Sequence, residues 1–413
     1  MTDAQSKRHT LIFLCVVLFL DAVGFGLILP VLPDLIVELS DLSNSGSAEI
    51  AGFLLFTFAA MQFFFAPILG GLSDRYGRRP VLLIALLGFA LDYFVMALAP
   101  TLVWLFVARA ISGLFGATFA AANACIVDIS TPEERAKFFG LGGAAVGLGF
   151  VFGPAIGGFL GEYGTRIPFI LAGVLTLATC VYGFFVFPET LEPENRRAFS
   201  MKRANPLGSL FAIGRYPVVL VILASVFFMQ LSNHSYSSIW PFYTIEVAGW
   251  SPFHIGLSVA FYGMTLAIVQ GGLTGPVVKR FGEIRVAIFS FLVGIIVFLG
   301  LSNASSGAHI YVWIFVGGFT ACAFPVLQAL MTQNTPENAQ GELQGALASS
   351  YSLSAIIGPL LMSQLFGHFT DEAGLYIPGA PFIGAAVLIL ISLAVFVFAI
   401  RKYELTAQGE GPS

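Results

Sequence analysis

Three ionisable residues, Asp21, Asp92 and Arg109, each interrupt a long apolar run. A charged side chain at the centre of a bilayer costs about 2.5–3.5 kcal/mol on insertion scales, so such residues mark ion pairs, relays or binding sites. Asp21 and Asp92 each lie about twelve residues into their runs, near mid-depth at ~1.5 Å of helix rise per residue. Arg109 lies about eight residues into the following run. A low-dielectric site favours the neutral form of a carboxyl group and brings proton exchange towards working pH. The chemistry on offer is proton binding and release at Asp21 or Asp92, with Arg109 as a switchable partner. A permanent Asp–Arg pair that only pins helices together is the structural alternative. All three residues fall in the first half of the chain, and the second half has no carboxylate at matching depth.

A second polar set is uncharged. In FFMQLSNHSYSSIWPFY (227–243), Gln230, Asn233, His234 and Ser237 recur at helical spacing amid aromatic residues. With Gln62, Asn123, Gln270 and Gln328 they could wall an amphipathic pocket for a small organic molecule. His234 alone reads more simply as a hydrogen-bonded helix residue than as a coupling group. The 42 phenylalanines suit aromatic cargo, although most must face lipid or pack between helices.

The elements that position these residues follow from composition. Of 413 residues, 57% are hydrophobic and 10% charged, against about 25% charged in a soluble domain. Lipid must therefore cover much of the surface. Twelve runs are long enough to cross it: 9–38, 48–73, 80–99, 102–128, 135–161, 166–187, 217–246, 252–280, 284–302, 308–333, 339–367 and 378–400. The first reads as a retained span, being too long for the core of a leader peptide and acidic in its middle. An all-α membrane protein is predicted, with an amino-terminal six-helix half (1–187), a polar linker (188–216) and a carboxy-terminal half (217–413).

Basic residues orient the spans. Lys7, Arg8, Arg75, Arg78, Arg79, Arg135, Lys137, Arg196, Arg197, Lys202, Arg203, Arg215, Lys279, Arg280, Arg285, Arg401 and Lys402 all fall on one side of a twelve-span alternation, leaving out only Arg109 and Arg166. Positive residues stay on the cytoplasmic side, so both termini are predicted there. Cys15, Cys125, Cys180 and Cys322 are scattered through apolar runs and read as small fillers. No phosphate-binding glycine loop, metal-spaced His/Cys cluster or nucleophile motif is present. The reading is thus not an enzyme and not an ATP-driven pump, with no metal, no cofactor and no nucleic-acid partner. The expected partners are a small molecule, protons and the bilayer.

Sliding the chain against itself by about 205 residues exposes a repeat. Arg75-Tyr76-Gly77 falls on Arg280-Phe281-Gly282, Gly113 on Gly318, TPEERAKFFG (131–140) on TPENAQGELQG (335–345), and Gly153-Pro154 on Gly358-Pro359. Each half holds an even number of spans, so the repeats are parallel, an arrangement in which halves rock about a site near the midplane.

At these residues a family resemblance emerges. GGLSDRYGRRP (70–80) resembles the loop signature of the major facilitator superfamily, and RAISGLFGA (109–117) its span-four arginine signature. GLGFVFGPAIGG (147–158) resembles the span-five signature of exporters that exchange drug for proton. LDAVGFGLILPVLP (20–33), ALDYF (90–94) and GELQG (341–345) look like the tetracycline-efflux group of the twelve-span drug–proton antiporters. The likeness implies a cytoplasmic gate of Gly70, Asp74, Arg75, Gly77, Arg78 and Arg79, shared with Asp128. Gly70 and Gly71 are expected to allow close helix approach there. It also implies an antiporter face of Gly149, Gly153, Pro154, Gly157 and Gly158 in span five. The implied function is proton-coupled efflux of small amphipathic molecules by alternating access, performed by a monomer, and the short loops point to a bacterial inner membrane. A proton-coupled importer, or an exporter of a metabolite such as a sugar, stays open. One departure stands out: tetracycline exporters of this group carry an acidic residue in span nine, where this chain has IFSFLVGIIVFLG (288–300) with Gly294 near the matching place.

Overall fold

The computed structural model describes residues 3–116, 118–199, 208–371 and 374–403. Ala117, Lys202 and Arg203 lie outside the described residues. Twelve helices among these residues are long and apolar enough to cross a membrane: Lys7–Ile28, Asn44–Tyr76, Arg78–Leu98, Leu102–Ile129, Pro132–Gly161, Ile167–Val186, Pro217–Ala248, Pro252–Phe281, Glu283–Ser302, Gly307–Gln333, Glu337–Thr370 and Ala380–Tyr403. They are spans one to twelve below.

Local sequence sets their ends. Pro132, Pro168, Pro217 and Pro252 sit in the first turns of spans five to eight, where an absent N–H costs nothing. Thr131 and Glu134 close a capping box at the start of span five. Span one ends at Ile28, ten residues short of its expected end, and a separate helix, Leu32–Ser40, follows a turn. Pro30 and Pro33 explain the break, since neither can donate a backbone hydrogen bond.

One face of each span is built for lipid. In span three, Ile84, Leu87, Leu91 and Leu98 are 51%, 53%, 50% and 74% exposed, while Leu82, Ala85, Ala90, Asp92 and Met96 on other faces are buried. That three-and-four spacing places an apolar stripe outward and leaves the polar residue inside.

Contacts divide the chain into two compact units. The first comprises residues 1–42, 57–206 and 251–260, with span one packed along span five and span three along spans four and six. The second comprises residues 43–56, 207–250 and 261–413, with span seven packed along spans eleven and twelve and span nine along spans ten and twelve.

The repeat is visible in backbone detail. Gly77 and Gly282 both adopt positive φ, +110° and +79°, at the sharp turns into spans three and nine. Span four is interrupted by a turn at Phe115 and Gly116, and span ten by a 3-10 stretch at Gly318–Cys322. The same offset superimposes these two breaks.

Candidate functional site

The two carboxylates at depth in the first unit have unlike surroundings, Asp21 being half-buried and Asp92 buried. Asp92 is fully buried, and Arg109 donates from Nη2 to its Oδ2 at 2.5 Å and towards Met96 Sδ at 2.8 Å. Asp92 Oδ1 and Arg109 Nε are buried without a hydrogen-bond partner, so the pair is strong but incompletely satisfied. Asp21, from span one, instead borders a small cavity with Leu86, Phe89 and Tyr93 of span three and Thr176 and Thr179 of span six. No ion-pair partner reaches Asp21 among the described residues. Tyr93 leans over the backbone of span one, its hydroxyl filling the place a side chain at Gly24 would take.

The span-five glycines form a docking face for span one. A Cβ at Gly149 would lie 2.6 Å from the Phe19 carbonyl oxygen, and one at Gly153 would lie 2.7 Å from that of Val23. At Gly157 it would lie 2.7 Å from Leu27 Cα. Backbone thus meets backbone along a register that passes Asp21, with Pro154 seated against Gly26. Gly158 turns elsewhere, a Cβ there falling 3.1 Å from the Cα of Gly256 in span eight.

Of the residues expected to form a cytoplasmic gate, Asp74, Arg78 and Asp128 form one network in the first unit. Arg78 reaches Asp74 through Nη1 at 2.5 Å, Ser73 at 3.2 Å, and Asp128 through Nε at 3.0 Å. Thr190 donates to the same Asp128 oxygen at 3.3 Å. Glu189, just after span six, accepts the backbone N–H groups of Arg78 at 2.8 Å and Arg79 at 3.3 Å. Those are free donors at the start of span three, where a carboxylate also meets the positive end of the helix dipole. Gly77 leaves room for it, since a Cβ there would strike the Glu189 carboxylate. Arg79 donates to the Phe184 carbonyl at 2.5 Å, while Arg75 lies 5.0 Å from the Tyr76 ring. Gly70 differs from expectation: nothing lies within 4 Å of where its Cβ would be, and Gly71 approaches Phe199 rather than a helix.

The uncharged candidates are dispersed. Gln62 donates to the Gly116 carbonyl at 2.8 Å and so occupies the break in span four. Asn233 Nδ2 faces Gln230 Oε1 at 3.5 Å. His234 lies between Ser237 and Ser354, each at 3.3 Å, with Gly358 packed against its ring. Asn123 and Gln328 are half-buried, and Gln270 is exposed in a π-helical stretch, Val269–Leu273.

Beyond the spans, acidic residues bind helix ends. Glu162, after span five, accepts the Phe253 N–H at the start of span eight at 3.1 Å. Hydrogen bonds from Ser251 and Phe253 hold its carboxyl below the usual range. Asp34 is pushed the other way, by desolvation first and by Glu162 second. Tyr376 donates to Glu246 at 2.6 Å, which pushes the phenol up to about 12.

Several of these partners carry no sequence signal. Glu189, Thr176, Thr179, Met96 and Ser354 look like ordinary span or loop residues until the helices are assembled. Only Glu189 had a hint, an acid directly after a span in FPET (187–190).

Twelve helices long and apolar enough to cross a membrane, in two repeats of which one holds the buried Asp92–Arg109 pair and the half-buried Asp21, define a polytopic membrane protein. The Major Facilitator Superfamily model matches residues 14–301 and 235–412, and the chain belongs to that superfamily. It is 39% identical to the tetracycline resistance protein, class C, of Escherichia coli, over 88% of this chain and 91% of that one. It is 29% identical to multidrug resistance protein 2 of Bacillus subtilis, over 88% and 90%. Among solved structures, a bacterial homologue of the human lysosomal transporter Spinster superimposes with a TM-score of 0.80 at 16% identity, covering 99% of both chains, which speaks for the fold alone.

Proposed function

We propose that this chain exports small amphipathic organic molecules across the membrane in exchange for protons, by alternating access, with Asp21 as the proton carrier. The observation that carries the reading is the contrast between the two carboxylates. Asp92 is tied to Arg109, so cycling its proton would repeatedly leave a buried cation without its counter-charge. Asp21 faces a cavity with hydroxyl-bearing neighbours and can gain or lose a proton without breaking an ion pair. Span five lies against the register of span one that holds Asp21, so a change of charge there is felt along a tightly packed helix pair. Similarity to a tetracycline resistance protein and to a multidrug resistance protein supports organic cargo and the outward direction.

In this reading the chain works as a monomer in a bacterial inner membrane with both termini in the cytoplasm, and the proton gradient is its only energy source. The Arg78–Asp74–Asp128–Glu189 network latches the cytoplasmic end of span three. One charge moved down 100 mV yields about 2.3 kcal/mol. One pH unit adds about 1.4 kcal/mol. Together these sustain a cargo gradient of several hundred-fold per proton.

The test uses inverted vesicles energised to be acid inside, a dye that reports interior pH, and a panel of tetracyclines, lipophilic cations and neutral antibiotics. Cargo-dependent alkalinisation is expected from the natural chain and from a folded Asp92→Asn/Arg109→Gln pair at reduced rate, and none from Asp21→Asn. Normal proton exchange by Asp21→Asn would overturn the assignment.

A further inference from the structure

The turn between spans two and three leaves two helix ends that its own residues do not close. Span three opens with Arg78 and Arg79, cations at the positive end of the helix dipole, whereas the offset partner of Arg78 in span nine is an acid, Glu283. The missing acid comes from the linker. Glu189 accepts the N–H groups of Arg78 and Arg79, and the linker is wound onto the same carboxylate through the N–H groups of Thr190 and Leu191, both at 3.0 Å. Further along, the Arg197 N–H donates at 3.0 Å to the Asp74 carbonyl, in the last turn of span two, where a helix leaves its carbonyls without internal partners. One linker segment thus caps the end of one span and the start of the next.

Side chains seat the segment. Phe187 and Leu191 are buried, and the Phe199 ring lies so close to Gly71 that a Cβ there would be 3.0 Å from two of its carbons. The offset partner of Gly71 is Pro276, so the second copy of the turn lacks this seat. Thr190 reaches inward, to Asp128 and to the thiol of Cys125, which is fully buried in the same apolar cluster as Phe187.

We infer that residues 187–199 are a strap that docks on the turn between spans two and three and holds the Arg78–Asp74–Asp128 network closed. Undocking frees both helix ends, opens the network and uncovers Cys125. The strap belongs to the first unit, and its docking is read in the resting chain, independently of any cargo movement.

The experiment follows alkylation of the native cysteines of the full-length chain by N-ethylmaleimide in inverted membrane vesicles, resolved site by site by peptide mass spectrometry. Arg197→Pro removes the N–H that caps span two, and Arg196 already has the extended backbone, φ −67° and ψ 139°, that a following proline requires. Arg197→Ala keeps that N–H and controls for the side chain. Phe199→Ala empties the seat at Gly71. Cys125 is expected to react about tenfold faster in Arg197→Pro and in Phe199→Ala than in the natural chain, and within about twofold of it in Arg197→Ala. Cys15 and Cys180, half-buried in the same unit, should keep their rates in every variant. An unchanged Cys125 rate in Arg197→Pro and Phe199→Ala overturns the inference. So does equal acceleration at all three cysteines, which would make the segment a support of the whole unit rather than a strap on one turn. Failure of the exporter reading shows separately, as absent proton exchange in vesicles with these alkylation rates as expected.

Discussion

Spans one and seven open the two halves of the repeat, yet their polar residues are held in opposite ways. Asp21 borders a cavity with no ion-pair partner among the described residues, whereas His234 is fastened between Ser237 and Ser354. Asp92 and Arg109 form an ion pair in the first unit. The second unit is held at depth by neutral contacts, such as the reciprocal hydroxyl-to-carbonyl bonds of Ser225 and Ser392 at 2.8 and 2.7 Å. Duplication supplies one scaffold twice, and the difference lies in which copy carries charge. The first holds ionisable groups at depth, and the second holds neutral ones.

That division is broken most sharply at Arg109. Replacing it with alanine leaves Asp92 buried and unpaired, a loss of about 3–5 kcal/mol. Little Arg109→Ala protein should reach the membrane, and its melting temperature should fall steeply, while Asp92→Asn/Arg109→Gln recovers most of the fold. The matching neutral site should be milder: Ser225→Ala is expected to cost about 1–2 kcal/mol, because the partner keeps its own donor. If both lesions cost the same in a thermal melt, the contrast between the units loses its energetic basis.

Gly153→Ala tests the packing side of the first unit. A methyl group 2.7 Å from the Val23 carbonyl oxygen forces a shift worth about 1–3 kcal/mol. Gly147→Ala, with nothing within 4 Å, should be neutral or slightly stabilising. A smaller effect is expected at the start of span three. Glu189→Gln keeps an acceptor for the Arg78 and Arg79 N–H groups but loses its charge at the helix start, costing about 0.3–1 kcal/mol.

The smallest effect is a pH dependence at the ends of spans. Asp34 has a raised pKa, so the folded chain holds its proton more tightly than the unfolded chain. Its contribution to stability therefore declines as pH rises from about 4 towards the elevated value, and Asp34→Asn removes that decline. Glu162 has the opposite sign, its stabilisation being present above the ordinary carboxylate value and lost as pH falls through the lowered one. Both groups are exposed, so each change should be on the order of one degree in a melt.

The spans were legible because a bilayer imposes a length of apolar sequence that nothing else in this chain imitates. The repeat was legible because Gly77, Gly113 and Pro154 each keep their offset partner. The end of span one was written in Pro30 and Pro33 but was masked by the apolar residues between them. Which carboxylate meets Arg109 depends on how spans three and four are rotated about their axes, and hydropathy is blind to rotation within a buried helix. Glu189 contacts a helix start 111 residues earlier in the chain, and no local pattern encodes so distant a pairing. Gly70 shows the converse, a glycine inside a recognisable motif that makes no close contact at all.

The two kinds of glycine also set where this chain can vary under selection. At Gly149, Gly153 and Gly157 any replacement collides with the backbone of span one, so a change reached through one altered codon base yields a broken protein before it yields a new one. At Gly294 the same mutational step lands in open space bordering a cavity. Tolerated substitutions should therefore accumulate at such positions of span nine, while span five stays frozen as the axis on which every variant must still be built.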